Sequence, residues 1–255
     1  MERERVVGMS TAVEALRADR AALLEICAGL SAEEWASESG CAGWSVQDVV
    51  AHMGALFAIL VDPSRLPDTA GLPTERAQNI AVESRRSWSS AEVLSDYESV
   101  SSDALGVLAG FDGQEYELPL GDLGTYALSV LPSAYAFDHY THIRADLFAP
   151  RGPLGGEPPE SDELRLAPAI DWIEAAISQQ NAGVLGSLDG ALDIVVHGPG
   201  GRTIRLGAGD TVGEVRSSSS AFVRWVTQRA TWEAAGAQAV GDESALAIAR
   251  RLRVF

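Results

Sequence analysis

The stretch GWSVQDVVAHM, residues 43–53, decides the fold. Ser45 followed by Asp48 fits a capping box, the reciprocal pair of side-chain hydrogen bonds with which many helices begin. Beyond this box, apolar residues recur at helical spacing to about residue 60, and the opposite face carries only small residues. A helix that is nearly apolar all round belongs at the centre of a bundle, and this one carries His52.

Three further long helices flank this central one in the sequence. Apolar spacing predicts one helix over 11–29, a second that begins at the capping box of Ser89, and another from about 123 to 148 with a bend near Pro132. The connection over 62–88 is longer, polar and contains proline. Four long helices with such a connection predict a four-helix bundle.

A change of pattern divides the chain. Residues 149–162 read APRGPLGGEPPESD, which is too rich in glycine and proline to hold a helix. We therefore predict an N-terminal domain over 1–150 and a small C-terminal domain over 163–255. The sequence pattern of the C-terminal part predicts both helices and strands. These elements indicate an α+β fold in which helices pack on an antiparallel sheet. Its expected elements are a helix at 166–180, a hairpin of 191–196 and 203–206, a strand at 212–215, and helices at about 219–230 and 242–252, the last capped by Asp242.

Composition excludes several classes of function. The chain has 255 residues, a formal net charge of -17, and 19 basic residues, all of which are arginine. Without lysine there is no Schiff base for pyridoxal phosphate and no phosphate-binding P-loop. The acidic balance disfavours nucleic acid and anionic membranes as partners, because phosphate contact needs a clustered positive field.

No targeting signal is expected from the sequence either. The opening MERERVV has no apolar signal core, and no apolar run reaches the roughly 20 residues of a membrane span. Cys27 and Cys41 are too few for a disulfide framework. These features predict a cytoplasmic protein whose oligomeric state the sequence leaves open.

Two predicted helices bring candidate metal ligands together. His52 lies at the edge of the central helix's apolar stripe, and Asp138 and His142 share one face of the fourth helix at a spacing of four residues. Two histidines and a carboxylate with an open fourth position form the ligand set of a catalytic Zn²⁺. The spacing is equally compatible with a core histidine and a surface Asp–His pair. His139 lies about 100° away from this face.

The same segments carry a family resemblance. Residues 35–52, which end in the quoted motif, resemble the signature of the mycothiol-dependent maleylpyruvate isomerase family, which has a DinB-like metal-binding bundle. YAFDHYTHIRADL at 135–147 resembles that family's second ligand segment, and FVRWVTQRATWE at 222–233 with VGD at 240–242 resembles its sterol-carrier-like domain. The resemblance implies that His52, Asp138 and His142 bind zinc or another divalent metal. A member of that family has Glu where this chain has Asp138, whose side chain is one methylene shorter.

The resemblance also implies a reaction. The metal would bind mycothiol as its thiolate, which adds to an activated double bond, allows rotation and leaves again, so that cis becomes trans. If the adduct is released instead, the enzyme is a mycothiol S-transferase. A third alternative is a metal- or ligand-binding protein without catalysis.

Other residues have functional and plainer interpretations. Arg229 matches a position where the family often has Arg, and it is expected to grip an anionic or electrophilic small-molecule substrate; a surface salt bridge is the alternative. Arg144 is expected on the surface and His197 in a solvated loop. Cys41 could be nucleophilic, although no CxxC supports this, and Cys27 is expected to be buried. Trp44 and Tyr135 are candidates to line the pocket or to belong to the core.

Overall fold

The computed structural model describes residues 11–66, 69 and 71–255. The start of the predicted N-terminal domain, residues 1–10, lies outside the described residues. The predicted helix at 11–29 and the capping boxes at Ser45 and Ser89 are confirmed, and a further capping box lies at Ser31. The first five helices are α1 (Thr11–Ala28), α2 (Ala32–Ala36), α3 (Val46–Val61), α4 (Thr74–Glu83) and α5 (Ser90–Ala109).

Helix α3 is the central element of the first half, as its apolar circumference predicts. Most of its side chains are buried, and it packs along α5. The prediction had no helix between 62 and 88, whereas α4 lies there and packs on α3. Its amphipathic pattern is short, and only Ala81 and Val82 of α4 are buried, so the sequence signal is weak.

The prediction for the fourth bundle helix is wrong at its start. Residues 117–127 form a hairpin of β1 (Glu117–Pro119) and β2 (Thr125–Ala127), and α6 begins only at Leu131 and runs to Thr141. Pro132 lies in the first turn of α6, where its missing N–H is not needed, and therefore causes no bend. The chain then continues as a π-helix over His142–Leu147.

Residues after the Gly- and Pro-rich stretch form the second half. Helix α7 (Glu163–Gln180) begins at the side-chain cap of Asp162 and packs on α6 and α1. A four-stranded sheet follows, in the order β4-β3-β5-β6. The remaining elements are α8 (Ala182–Leu185), β3 (Ala191–His197), β4 (Thr203–Gly207), β5 (Thr211–Ser218), α9 (Ser219–Val226), α10 (Trp232–Ala235), β6 (Gln238–Gly241) and α11 (Glu243–Ala249).

The sheet is mixed, not antiparallel as predicted. The hairpin of β3 and β4 is confirmed, but β5 pairs with β3 in parallel. Alternation of apolar residues shows which face of a strand is buried and carries no information about strand direction. Strand β6 was not predicted because all four of its residues are exposed. Asp242 precedes α11 without making a side-chain capping bond, so its predicted role is wrong.

Two hydrophobic clusters organise the described residues, and α6 with its π-helical extension contributes to both. Ile143 and Leu147 belong to the cluster of α1, α3 and α5, whereas Phe137 and Tyr140 belong to the cluster of α7 and the sheet. The α+β class is confirmed, and the domain boundary at 149–162 stays a prediction. Among the described residues no helix combines the length and apolarity that a membrane span requires.

Candidate metal centre

Helix α3 and the α6–π junction bring the three predicted ligands together. His52 Nε2 lies 3.1 Å from Asp138 Oδ1, and His142 Nε2 lies 3.4 Å from the same oxygen. Their ligand atoms all lie within 4.8 Å of one another. Both histidines are buried, whereas the Asp138 side chain retains 19% of its exposure. The structure thus places all three predicted residues in one cluster with one atom of each facing a common point.

The cluster fits a divalent cation. Asp138 Oδ2 is buried and accepts no hydrogen bond from any residue that the structure describes. A buried carboxylate oxygen without a donor is costly unless a cation compensates it. Two imidazole nitrogens and one carboxylate oxygen form the donor set of a catalytic zinc site, which keeps one position open. His52, Asp138 and His142 are therefore the residues that would hold the metal.

The charges within the cluster shift the pKa values of Asp138 and His142. Burial works to raise the pKa of Asp138, but the charges of His52 and His142 hold it well below its ordinary value. Burial works to lower the pKa of His142, but the Asp138 carboxylate raises it well above its ordinary value.

His139 is not part of this cluster, as its position on the helical wheel predicts. Its side chain is fully buried between α3 and α5, and its Nδ1 lies 3.1 Å from the carbonyl oxygen of Tyr135. Its Nε2 lies 3.2 Å from the hydroxyl of Tyr97. Burial lowers the pKa of His139, so it serves as a neutral core residue.

The loop before α3 covers one side of the cluster. The ring of Trp44 lies 5.1 Å from the ring of His52 and 6.4 Å from that of His142, centroid to centroid. Its indole N–H donates to Asn79 on α4, which fixes the ring in place. Trp44 therefore lines the site, whereas Tyr135 stacks on Phe57.

A second buried acid, Asp146, lies behind His142. Its Oδ2 is 2.9 Å from His142 Nδ1, on the side of the ring opposite to Asp138. Burial disfavours ionisation of Asp146, but the hydrogen bond from His142 and the charge of Arg229 hold its pKa far below the ordinary value. Asp146 is therefore a carboxylate. Sequence reasoning missed it because its spacing from His142 is also that of an ordinary helix surface pair.

Arg229 reaches the same carboxylate from the second half of the chain. Its Nε and Nη2 lie 3.0 and 2.6 Å from Asp146 Oδ2, and its Nη1 makes no hydrogen bond to a described residue. The preceding Gln228 has a positive φ of 58°, which is uncommon outside glycine and turns the chain after α9. Arg151 lies farther out, with Nη2 3.6 Å from Asp146 Oδ1.

The sequence matches a known protein family. Residues 16–146, just over half of the chain, match the family described as the mycothiol maleylpyruvate isomerase N-terminal domain. The chain belongs to this family. The matched region contains His52, Asp138 and His142, and Arg229 lies outside it.

Two solved structures resemble the whole chain. A crystal structure of a mycothiol-dependent maleylpyruvate isomerase aligns with a TM-score of 0.63 over 95% of this chain and 97% of that one, at 14% identity. A mutant of such an enzyme aligns with a TM-score of 0.60 over 90% and 93%, at 13% identity. At these identities the likeness shows a common fold. No curated protein matches the sequence.

The sequence resemblance indicated a departure at Asp138, where a relative has Glu. The shorter Asp side chain still places Oδ1 within 3.4 Å of both imidazoles, so its length does not keep the three donors apart. The geometry of the cluster is complete without the additional methylene of a glutamate.

Three other sequence predictions have clear outcomes. Arg144 is not on the surface: its guanidinium is buried and donates 3.0 and 2.8 Å hydrogen bonds to Asp19 on α1. The error arose because the helix face away from the metal is covered by α1 and α7. Cys27 is buried as predicted, and burial raises the pKa of its thiol to about 12. His197 is exposed, at the end of β3.

Cys41 lies closer to the site than its sequence position suggests. Its Sγ is 3.6 Å from His142 Nδ1, and the side chain is partly exposed. Together with His142 and Asp146 it forms a second group with metal-ligand geometry. In that group, however, the charge of Asp146 is already neutralised by Arg229, whereas Asp138 pairs with no arginine among the described residues. The first group is therefore the better cation site.

Proposed function

We propose that the protein is a divalent-metal-dependent enzyme that uses mycothiol to isomerise a small anionic substrate from cis to trans. The observation that carries this proposal is the cluster of His52, Asp138 and His142, in which Oδ2 of Asp138 is buried and accepts no hydrogen bond from a described residue. Membership of the family, and the common fold with mycothiol-dependent maleylpyruvate isomerases, support mycothiol as the thiol and isomerisation as the reaction.

The metal and the chain have separate roles in this proposal. A divalent cation held by two imidazoles and one carboxylate would keep a position for a thiol and favour its thiolate form. Zinc suits the donor set, although iron, manganese and nickel also accept it. The chain provides the three ligands. The ring of Trp44 lies against the rings of His52 and His142 and shields that side of the cluster from solvent.

Substrate binding is proposed for the rim of the site. An open cleft of about 400 Å³, lined by Glu38, Ser39, Gly40, Ala42 and Arg151, borders the loop that carries Cys41. Its volume is that of a small-molecule site. Arg151 on its wall and Arg229, whose Nη1 makes no hydrogen bond to a described residue, are cations near Asp146 that would orient a carboxylate group of the substrate.

An assay with product and thiol measured together tests the proposal. Zinc-loaded protein is mixed with mycothiol and maleylpyruvate, and both the trans product and free thiol are quantified. We expect product to accumulate while free thiol stays constant, with little activity when glutathione replaces mycothiol. His52→Ala should abolish activity, whereas His197→Ala, the same change at an exposed histidine, should not.

Other results would replace the proposal. Thiol loss in proportion to product would identify a mycothiol S-transferase instead. If the protein binds metal but forms no product and mycothiol does not raise its melting temperature, the thiol-dependent function is wrong, because a ligand of the native state must stabilise it. A non-catalytic metal- or ligand-binding protein would then be the remaining alternative.

A further inference from the structure

Asp146 connects a metal ligand to the second half of the chain. It is fully buried, and its Oδ2 lies 2.9 Å from His142 Nδ1. The other ring nitrogen of His142, Nε2, faces Asp138 and His52. We propose that Asp146 is a positioning residue, which keeps the proton of His142 on Nδ1 and thereby presents Nε2 to the metal. This inference rests on the metal site of the proposed function.

The charges around Asp146 favour this role over direct metal binding. Arg229 contacts both carboxylate oxygens through Nε, at 3.1 and 3.0 Å, and Arg151 approaches Oδ1. A carboxylate that is held by two arginines has little charge left to offer a cation. It remains a good acceptor for the single N–H of a neutral imidazole.

Cys41 does not compete for the Nδ1 proton. Its sulfur lies 3.6 Å from Nδ1, whereas Asp146 Oδ2 lies at 2.9 Å. Sulfur is a weak acceptor and a carboxylate oxygen is a strong one, so the proton belongs to the bond with Asp146.

Three separate parts of the fold hold Asp146 in place. The π-helix carries it one turn beyond His142, and its backbone carbonyl accepts a 2.8 Å hydrogen bond from the N–H of Gly40. Arg229 comes from the turn after α9, where Gln228 anchors the chain by donating to the carbonyl of Leu252. The orientation of a ligand in the bundle therefore depends on a residue of the second half.

Such an arrangement has a known consequence for metal affinity. Metal-bound histidines usually donate their other N–H to a carboxylate or carbonyl, and loss of that partner weakens metal binding about 10- to 100-fold. We therefore expect Asp146→Asn to weaken metal binding by about tenfold or more. An amide is less basic than a carboxylate, and if its NH₂ faced Nδ1 it would impose the wrong tautomer.

The test uses Co²⁺ as a spectroscopic probe of the full-length chain. Metal-free wild type and Asp146→Asn are titrated with Co²⁺ against a competing chelator, and the visible spectrum reports ligand geometry. Asp19→Asn is the matched control, because Asp19 is also buried and doubly hydrogen-bonded by an arginine, Arg144, but makes no hydrogen bond or ion pair with His52, Asp138 or His142. Both variants should lose stability, and only Asp146→Asn should lose Co²⁺ affinity and change the spectrum.

The outcomes separate this inference from the proposed function. Equal Co²⁺ affinity and spectra in wild type and Asp146→Asn would overturn the role of Asp146 while leaving the metal site intact. A wild type that binds no Co²⁺ would overturn both. If Asp146→Asn does not fold, nitrogen NMR of ¹⁵N-histidine-labelled, zinc-loaded wild type decides: a proton on His142 Nδ1 in slow exchange supports the inference, and its absence overturns it.

Discussion

At the scale of single residues, the site depends on a glycine that sequence reasoning passed over. A Cβ atom built on Gly40 would lie 2.9 Å from the Cα and Oδ1 atoms of Asp146. The loop before α3 can therefore approach the π-helix only because residue 40 has no side chain. The same loop donates the N–H of Gly40 to the carbonyl of Asp146.

Gly40→Ala is therefore expected to separate the loop from Asp146. We expect a loss of about 1–3 kcal/mol in the free energy of unfolding, as for other overpacked positions, together with weaker Co²⁺ binding. Denaturant unfolding of the metal-free protein and the Co²⁺ titration measure the two effects.

Gly106→Ala provides the control for this change. A Cβ there meets nothing within 4 Å, and in a helix Ala is favoured over Gly by about 0.5–1 kcal/mol. This variant should be neutral or stabilised. If Gly40→Ala is as stable as Gly106→Ala and binds Co²⁺ equally tightly, the close approach of residue 40 to Asp146 has no role in stability or metal binding.

At the scale of secondary-structure elements, α6 with its π-helical extension shows what a sequence can and cannot predict. The Asp138–His142 spacing and the buried positions of α3 follow from helical periodicity, and both are confirmed. Helical periodicity does not reveal the π-helix, which widens the turn after His142. It also does not reveal the parallel pairing of β5 with β3, because strand pairing depends on contacts between residues distant in sequence. Asp146 and the true place of Arg144 followed only from tertiary packing.

The buried pair of Arg144 and Asp19 joins three elements. Arg144 on the π-helix donates to Asp19 on α1, and Arg165 on α7 lies 2.9 Å from the same carboxylate. Arg144 also donates to the carbonyl oxygens of Pro159 and Glu160, in the segment before α7. These bonds attach that segment to the bundle.

Replacing Arg144 with methionine should therefore destabilise the protein strongly. Removal of one partner from a buried ion pair costs about 3–5 kcal/mol, because the remaining charge stays buried without full compensation. Arg165 still contacts Asp19, so we expect the lower end, about 3 kcal/mol, in denaturant unfolding. Arg216→Met, which breaks an exposed pair with Glu214, should change stability by less than about 1 kcal/mol. Similar losses in the two variants would contradict this account.

At the scale of the whole molecule, an acidic chain with no lysine places arginines beside its candidate site. Arg229 and Arg151 both approach Asp146, and Arg229 comes from the half of the chain that contains the sheet. Their contact with substrate stays a proposal.

The family relationship and the local geometry carry different parts of the account. The match over residues 16–146 shows the family to which the chain belongs, and the likeness to solved structures shows its fold. The local geometry adds the two imidazoles, the Asp146–Arg229 pair and the Asp138 oxygen that accepts no hydrogen bond from a described residue. The central claim that joins them is that His52, Asp138 and His142 hold a divalent metal.

Metal content per chain tests that claim most directly. Wild-type protein and His52→Ala are purified without chelator, and bound metal is measured by elemental analysis alongside a circular dichroism spectrum that reports folding. The account predicts close to one divalent metal per wild-type chain and a large loss in a folded His52→Ala protein. A metal-free wild type, or a folded His52→Ala protein that retains one metal per chain, would contradict it.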